Sequence, residues 1–288
     1  MYEQFYGFRE RPFALTPDAA FLFLGRQHRH ALTMLEYAVM HSVGFALISG
    51  EIGSGKTTLI RQLLKSAEQD KGISITLISN TNRSFGSLLP WIAHAAGLDP
   101  GTRSGAQLYD ALLTHLAQEH VNGRRVVLIV DEAQNLGPKT LEELRVLSNV
   151  NADKRMLLQT ILVGQPELRE TLRRPDMRQF AQRIAIDYHL GNLSAEETWA
   201  YIRHRLRVAG GSPEIIEGSA VEIVYARTGG VPRLINILCD TALVYGFAEQ
   251  KSRIGAELMQ QVVEERVAGG LLPLQDAGKP TNKRATAG

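Results

Sequence analysis

A chain of 288 residues is close to the size at which one hydrophobic core stops growing, so a larger and a smaller domain are expected. Its 44% hydrophobic content supports globular packing, and a formal net charge of +2 excludes an argument from overall field for nucleic acid or an anionic membrane surface, leaving only local patches. A single cysteine, Cys239, excludes an internal disulfide; it sits in the apolar run LINILCDTALVYGF as a small buried residue does, and a reduced, cytoplasmic protein is expected.

The N-terminus, MYEQFYGFRERPF, has acidic and aromatic residues where a signal peptide needs a basic start and an apolar core. No uninterrupted apolar run reaches the roughly 18 residues of a membrane span, so no transmembrane segment is expected. The aromatics Phe5, Tyr6, Phe8, Phe13, Phe21 and Phe23 form either a partner surface or a packed segment. They precede the helix RQHRHALTMLEYAVM, and residues 1–44 are expected to pack on the core and cover a sheet edge.

Five short, nearly continuous apolar runs follow: FALIS from Phe45, ISITLIS from Ile73, RVVLIVD from Arg125, LLQTILV from Leu157 and RIAIDYHL from Arg183. Separated by helical segments, they predict a doubly wound α/β domain over 45–193, with about five parallel strands joined by right-handed crossovers. Beyond Leu193 no strand is predicted. Ser194 and Glu197 make a capping box for the helix ETWAYIRHRLRVAG, and helices at roughly Gly218 to Arg227, Val231 to Glu249 and Gly255 to Arg266 complete an all-helical domain over 194–268. The tail 269–288, rich in Gly, Pro and Ala with basic Lys279, Lys283 and Arg284, is expected to be disordered.

Between the first strand and its helix lies GEIGSGKT, which fits G-x-x-x-x-G-K-[ST] through Gly50, Gly55, Lys56 and Thr57. Such a loop turns backbone amides inward around phosphates at a helix N-terminus, where the dipole favours negative charge. ATP with Mg²⁺ is the expected ligand. Gly50, Glu51 and Ile52 lead into Gly53, Ser54 and Gly55; Lys56 reaches the β- and γ-phosphates, Thr57 offers its hydroxyl to Mg²⁺, and Thr58 completes the binding segment. The competing reading is a Gly-rich turn capping an ordinary helix.

VVLIVDEAQNL ends a buried strand in two carboxylates. Asp131 is the expected metal residue, and Glu132 the group that orients and polarises the attacking water; helix capping by Asp131 is the alternative. Gln165, in VGQPEL, is expected one strand over, contacting the γ-phosphate, unless it only forms a Gly-Gln-Pro turn. Arg178 and Arg183, in RQFAQRI, are candidates for an arginine supplied in trans to a neighbouring subunit's nucleotide, or surface arginines paired with Asp176 or Asp187. Arg233, opening a helix after GGVP, either reaches back to the phosphates or is solvated.

These elements in this order resemble the AAA+ ATPases: GEIGSGKT as Walker A, VVLIVDE as Walker B, Gln165 as sensor 1, Arg183 as arginine finger and Arg233 as sensor 2. FYGFRERPFALTPDAAFLFLGRQHRHAL, GQPELRETL, QRIAIDYHLGNLSAEET and YIRHRLRVAG are similar to the ExeA/GspA secretion ATPases and their MshM pilus-biogenesis relatives, over about residues 1 to 268. The resemblance implies an αβα domain with a helical lid, the N-terminal segment near the adenine pocket, and a homo-oligomeric ring or filament that hydrolyses ATP to power or regulate a secretion, pilus or envelope machine. The long ExeA proteins carry a membrane span and a peptidoglycan-binding domain after the ATPase; the stretch here matches a short, MshM-like form. An inner-membrane protein is then the expected partner. DNA is the rival partner, for a transposition regulator using Arg203, Arg205, Arg207 and the basic tail. A slow nucleotide switch or scaffold is the other alternative.

Overall fold

The computed structural model describes every residue except 17, 69, 80, 82–85, 153–154, 271–272 and 276–288. In chain order the first elements are α1 (Glu3–Tyr6), α2 (Arg26–His41), β1 (Phe45–Gly50), α3 (Lys56–Ala67), β2 (Ile73–Ile78), α4 (Leu89–Ala95) and α5 (Gly105–Val121). There follow β3 (Arg125–Val130), α6 (Pro138–Leu147), the short β4 (Asn151–Ala152) and β5 (Arg155–Met156), β6 (Leu158–Gly164), α7 (Pro166–Leu172), α8 (Arg178–Ala181) and β7 (Ile184–Leu190). Four helices end the described chain: α9 (Ala195–Val208), α10 (Gly218–Thr228), α11 (Pro232–Ala248) and α12 (Ala256–Ala268). They fall into two units, one of residues 26–52 and 56–191, the other of 1–25, 53–55 and 192–288.

The first unit is built on a five-stranded parallel sheet in the order β2-β3-β6-β1-β7. The three inner strands are those whose sequences are almost wholly apolar, and β1 and β6 are buried at every position. Both of their faces are covered, so hydrophobicity does not alternate along them. The edge strand β7 does alternate, exposing Ala185, Asp187 and His189. On one face Phe45, Leu128 and Leu162 pack with Leu112, Leu116, Leu144, Leu168 and Phe180; each fully buried side chain of this size contributes roughly 2 kcal/mol from leaving water. Helix α2 packs against β7 and β1. All five strands end at the same pole, the end at which open α/β sheets bind ligands.

The second unit is helical. Ser194 and Glu197 form the expected reciprocal box, Oγ accepting from the Glu197 N–H and Oε2 from the Ser194 N–H, both at 3.1 Å. Ile202, Leu206, Val224, Leu238, Leu243 and Met259 make its core, with the Cys239 thiol fully buried and its pKa pushed up by that burial. Tyr2, Tyr6, Phe8, Phe13 and Phe21 are buried in this same core.

Two expectations about boundaries change. Residues 1–44 do not behave as one segment: 1–25 fold with the helices, and only from Arg26 does the chain join the sheet unit. The cause is Arg205, whose guanidinium donates to the Pro12 carbonyl at 2.6 Å, the Ala14 carbonyl at 3.2 Å and the Tyr201 hydroxyl at 2.9 Å, and lies over the Phe21 ring. The tail expected to be disordered from 269 includes residues 273–275, which dock: the Gln275 N–H donates to the Arg227 carbonyl at 2.8 Å, Arg227 returns a bond at 3.2 Å, and Leu274 packs on the core. The remainder, 276–288 with its basic residues, lies outside the described residues.

Candidate nucleotide site

The chain turns from β1 into α3 through Gly53 and Gly55, whose φ values of 79° and 98° lie where a Cβ is disfavoured. Lys56, the first residue of α3, is buried, and its ammonium donates to the carbonyls of Gly50 at 2.7 Å and Glu51 at 2.9 Å. Burial lowers its pKa, against the opposing pull of Glu132, Asp131 and Glu51. Thr57, one residue on, donates its hydroxyl to Asp131 Oδ2 at 3.1 Å. Glu51, Ile52 and Thr57 are exposed, Gly53, Gly55 and Thr58 half-buried, and Ser54 buried.

Asp131 and Glu132 leave the end of β3, which is separated from β1 by β6 in the sheet. Asp131 is buried; its Oδ1 accepts the Glu132 N–H at 2.9 Å, and burial raises its pKa. Glu132 has φ 55°, the left-handed region, and starts the tight turn Ala133–Asn135. A β-carbon there costs on the order of 1 kcal/mol or more, so the position is held by its surroundings. The Thr81 hydroxyl donates to the Glu132 carbonyl at 2.6 Å, and Asn135 Nδ2 to the Thr81 carbonyl at 2.8 Å. Gln165, just past β6 and capping α7, donates from Nε2 to Glu132 Oε2 at 3.3 Å.

The structure therefore brings Lys56, Thr57, Asp131, Glu132 and Gln165 together at one pole of the sheet. Thr57 Oγ1 and Asp131 Oδ2 are adjacent hard oxygen donors, which suits Mg²⁺, an ion held by one or two protein groups with water and phosphate oxygens completing its shell.

Arg183 stands elsewhere. It precedes Ile184, which pairs with Phe45 at the start of β1, whereas Gly50 pairs with Leu190; about six residues of strand, roughly 20 Å, separate it from the loop in its own unit. Its guanidinium donates to Asn149 Oδ1 and to Ser148 Oγ. Neither expected acidic partner takes it, since Asp187 is bound by Arg169 at 2.6 Å and Asp176 by Arg174 at 2.8 Å. Arg178 is exposed at the start of α8. Arg233 is exposed in the first turn of α11, in the unit that includes residues 53–55, and its backbone N–H donates to the Gly53 carbonyl at 3.3 Å. Of the three lid arginines considered for DNA, Arg205 is buried as described and Arg203 is paired with Glu214 and stacked on Trp199, so neither offers a free cation.

One residue of this site was not anticipated. Gln134 Nε2 donates to Glu132 Oε2, and its Oε1 accepts the Gln165 N–H at 3.0 Å. Its only sequence signal is its place two residues after the acidic pair.

The fold is that of the AAA-type P-loop proteins, and residues 39–172 match the AAA domain family. Over 255 residues, 88% of its length, the chain is 41% identical to General secretion pathway protein A of Aeromonas hydrophila. It spans about half, 46%, of that relative. Among solved structures, the Aeropyrum pernix ORC2 protein in its ADPNP-ADP complexes superposes with a TM-score of 0.67 at 18% identity, covering 91% of this chain and 72% of the other. Cdc6p from Pyrobaculum aerophilum gives 0.66 at 17% identity, over 91% and 74%. Those two likenesses are of fold. Among the described residues no helix is long and apolar enough to cross a membrane.

Proposed function

We propose that this chain binds ATP with Mg²⁺ and hydrolyses it within a homo-oligomer, and that turnover drives or regulates assembly of a secretion, pilus or other envelope machine. The observation that carries the reading is the meeting of Lys56, Thr57, Asp131, Glu132 and Gln165 at one end of the sheet. Lys56 neutralises the β- and γ-phosphates, with the amides of Gly50 to Thr58 around them. Thr57 and Asp131 hold Mg²⁺, which screens phosphate charge when bound. Glu132 orients the attacking water and draws its proton, while Gln165 reads the γ-phosphate. The Aeropyrum pernix ORC2 protein, of the same fold, forms ADPNP-ADP complexes, which supports an adenine nucleotide as the ligand.

The distance of Arg183 from its own loop supports a role in trans: it reaches a γ-phosphate only on a second copy, which makes turnover depend on assembly. Arg233, whose N–H donates to the Gly53 carbonyl within its own unit, is the further candidate for a phosphate contact. The envelope role rests on kinship with General secretion pathway protein A, and the partner is an inner-membrane protein of such a machine. The DNA reading loses support because Arg203 and Arg205 are engaged internally.

Mixing variants tests the whole proposal. Lys56→Ala and Arg183→Ala are each expected to be inactive alone, and their mixture to regain part of the turnover, because the first subunit supplies the arginine and the second the nucleotide. Absence of complementation at every ratio, with the parent active, removes Arg183 from a trans role. A parent that binds Mg·ATP without turning it over leaves only the switch or scaffold reading.

A further inference from the structure

We propose that Gln134 is the positioning residue for Glu132, and that through it the carboxylate and the Gln165 segment act as one unit; the inference rests on the hydrolytic reading above. The two ends of this amide are chemically distinct. A backbone N–H can only donate and a carboxylate only accept, so the orientation is forced: Nε2 toward Glu132 Oε2, Oε1 toward the Gln165 N–H at 3.0 Å.

The surroundings are arranged to hold this bridge. Glu132's backbone is fixed in the left-handed region by the Thr81 hydroxyl, which leaves the side-chain torsions as its remaining freedom. Gln134 and Gln165 both donate to Oε2, so Oε1 is the oxygen that addresses the attacking water. Gly164, the last residue of β6, leaves room for the bridge, since a Cβ there would lie 2.8 Å from Leu168 Cδ2, 3.1 Å from Gln134 Oε1 and 3.3 Å from the Gln134 backbone nitrogen. When the Gln165 side chain turns to a γ-phosphate, its backbone stays tied to Gln134, and Gln134 keeps Glu132 aimed. A change at the strand end that senses the phosphate is thereby passed to the residue that orients the water.

The two ends of the bridge are separable by substitution. Gln134→Ala removes both bonds. Gln134→Glu keeps an acceptor for the Gln165 N–H but sets a second carboxylate against Glu132. In the 288-residue chain, kcat for Mg·ATP is expected to fall about 10- to 100-fold in both variants, as for a catalytic group displaced by about 1 Å, with KM within about twofold. In a Glu132→Gln background, Gln134→Ala is expected to change the residual rate by less than about twofold, because its action passes through Glu132. Hydrogen exchange at the Gln165 amide, read without nucleotide, is expected to accelerate about tenfold or more in Gln134→Ala and to stay near parental in Gln134→Glu.

Parental kcat in both variants, an effect carried in KM, or fully additive losses with Glu132→Gln would overturn the positioning role. Unchanged exchange in Gln134→Ala would overturn the link to Gln165, and that readout needs no turnover. A parent without ATPase activity would instead sink the hydrolytic reading, while the exchange comparison still decides whether Gln134 ties the two segments.

Discussion

Lys56 in the sheet unit and Arg205 in the helical unit are both cations only 7% exposed, and they are buried for opposite reasons. Arg205 bonds two carbonyls of the N-terminal segment and a tyrosine hydroxyl, and lies over an aromatic face. The carbonyls belong to a segment some 190 residues away in sequence, so the cation acts as a clamp. Lys56 bonds only two carbonyls of its own loop and stands near Glu132 and Asp131, with its pKa lowered by desolvation. A clamp is matched to fixed partners, whereas the loop lysine is held at a desolvation cost that a phosphate would offset. A similar contrast separates two polar sets: Lys56, Thr81 and Asp131 of the sheet unit lie at the strand ends, while Arg205, Tyr201 and Asn236 knit a single core.

Removing each cation is the sharpest way to break the comparison. Lys56→Ala is expected to weaken ATP binding about 1000-fold, from two charge-assisted contacts at roughly 2 kcal/mol each. Its stability without nucleotide should stay at or above the parent's, because a desolvated charge has gone. Equilibrium nucleotide titration and urea unfolding read the two quantities separately. Comparable ATP affinity, or a marked loss of stability, would make Lys56 a clamp as well.

Arg205→Ala carries the next largest effect, and on the other quantity. It orphans the Pro12 and Ala14 carbonyls and strips the cover from Phe21, an expected loss of about 3 kcal/mol from the helical unit. The two tryptophans divide the readout, Trp199 lying on α9 and Trp91 on α4, so fluorescence in Trp91→Phe and Trp199→Phe backgrounds follows each unit alone. Destabilisation confined to the Trp199 signal, with the Trp91 signal unchanged, is the expected result. An equal shift in both signals would deny Arg205 its local role.

Much of this contrast was legible in the residue pattern. Apolar runs located the five strands of the parallel sheet, most plainly β1, β3 and β6, which are covered on both faces, but not the two-residue β4 and β5; Ser194 with Glu197 marked the start of α9 by chemistry that is complete within four residues. The loop and the carboxylate pair stand out in the sequence for the same reason: each motif is packed into a short stretch. What was not legible depends on distant partners. Seven aromatics before residue 24 announce burial but not the surface that receives them, and the answer lies in Arg205, read as a phosphate-facing cation when taken with its basic neighbours alone. Gln134 acquires its place from where β6 ends, a fact of tertiary structure. Gln275 docks through its own backbone N–H and carbonyl, to the Arg227 carbonyl and guanidinium, which leaves no trace in the composition of the tail.

The smallest of these effects is the one with an unusual sign. Asp131 is 6% exposed, and burial raises its pKa above the ordinary 3.8, despite bonds from Thr57 and the Glu132 N–H that favour the ionised form. A carboxylate whose folded pKa lies above its unfolded value binds its proton more tightly in the folded state. Its favourable contribution is present at low pH and is lost as pH rises through the raised midpoint, so at neutral pH the ionised group costs stability. Asp131→Asn removes the charge and keeps an oxygen for the Glu132 N–H, while its amide can donate to the Thr57 hydroxyl. Without nucleotide at pH 7, the variant is expected to be more stable by about 1 kcal/mol in urea unfolding followed at Trp91. The gap should narrow as the pH is lowered toward 3.8. With Mg·ATP present the order should reverse, since only the parent gains the stabilisation of metal and nucleotide bound together. A variant less stable than the parent at pH 7 without ligand would mean that Asp131, like Arg205, is held by partners that already offset its burial, and the distinction between a binding pole and a knitted core would then fail at its centre.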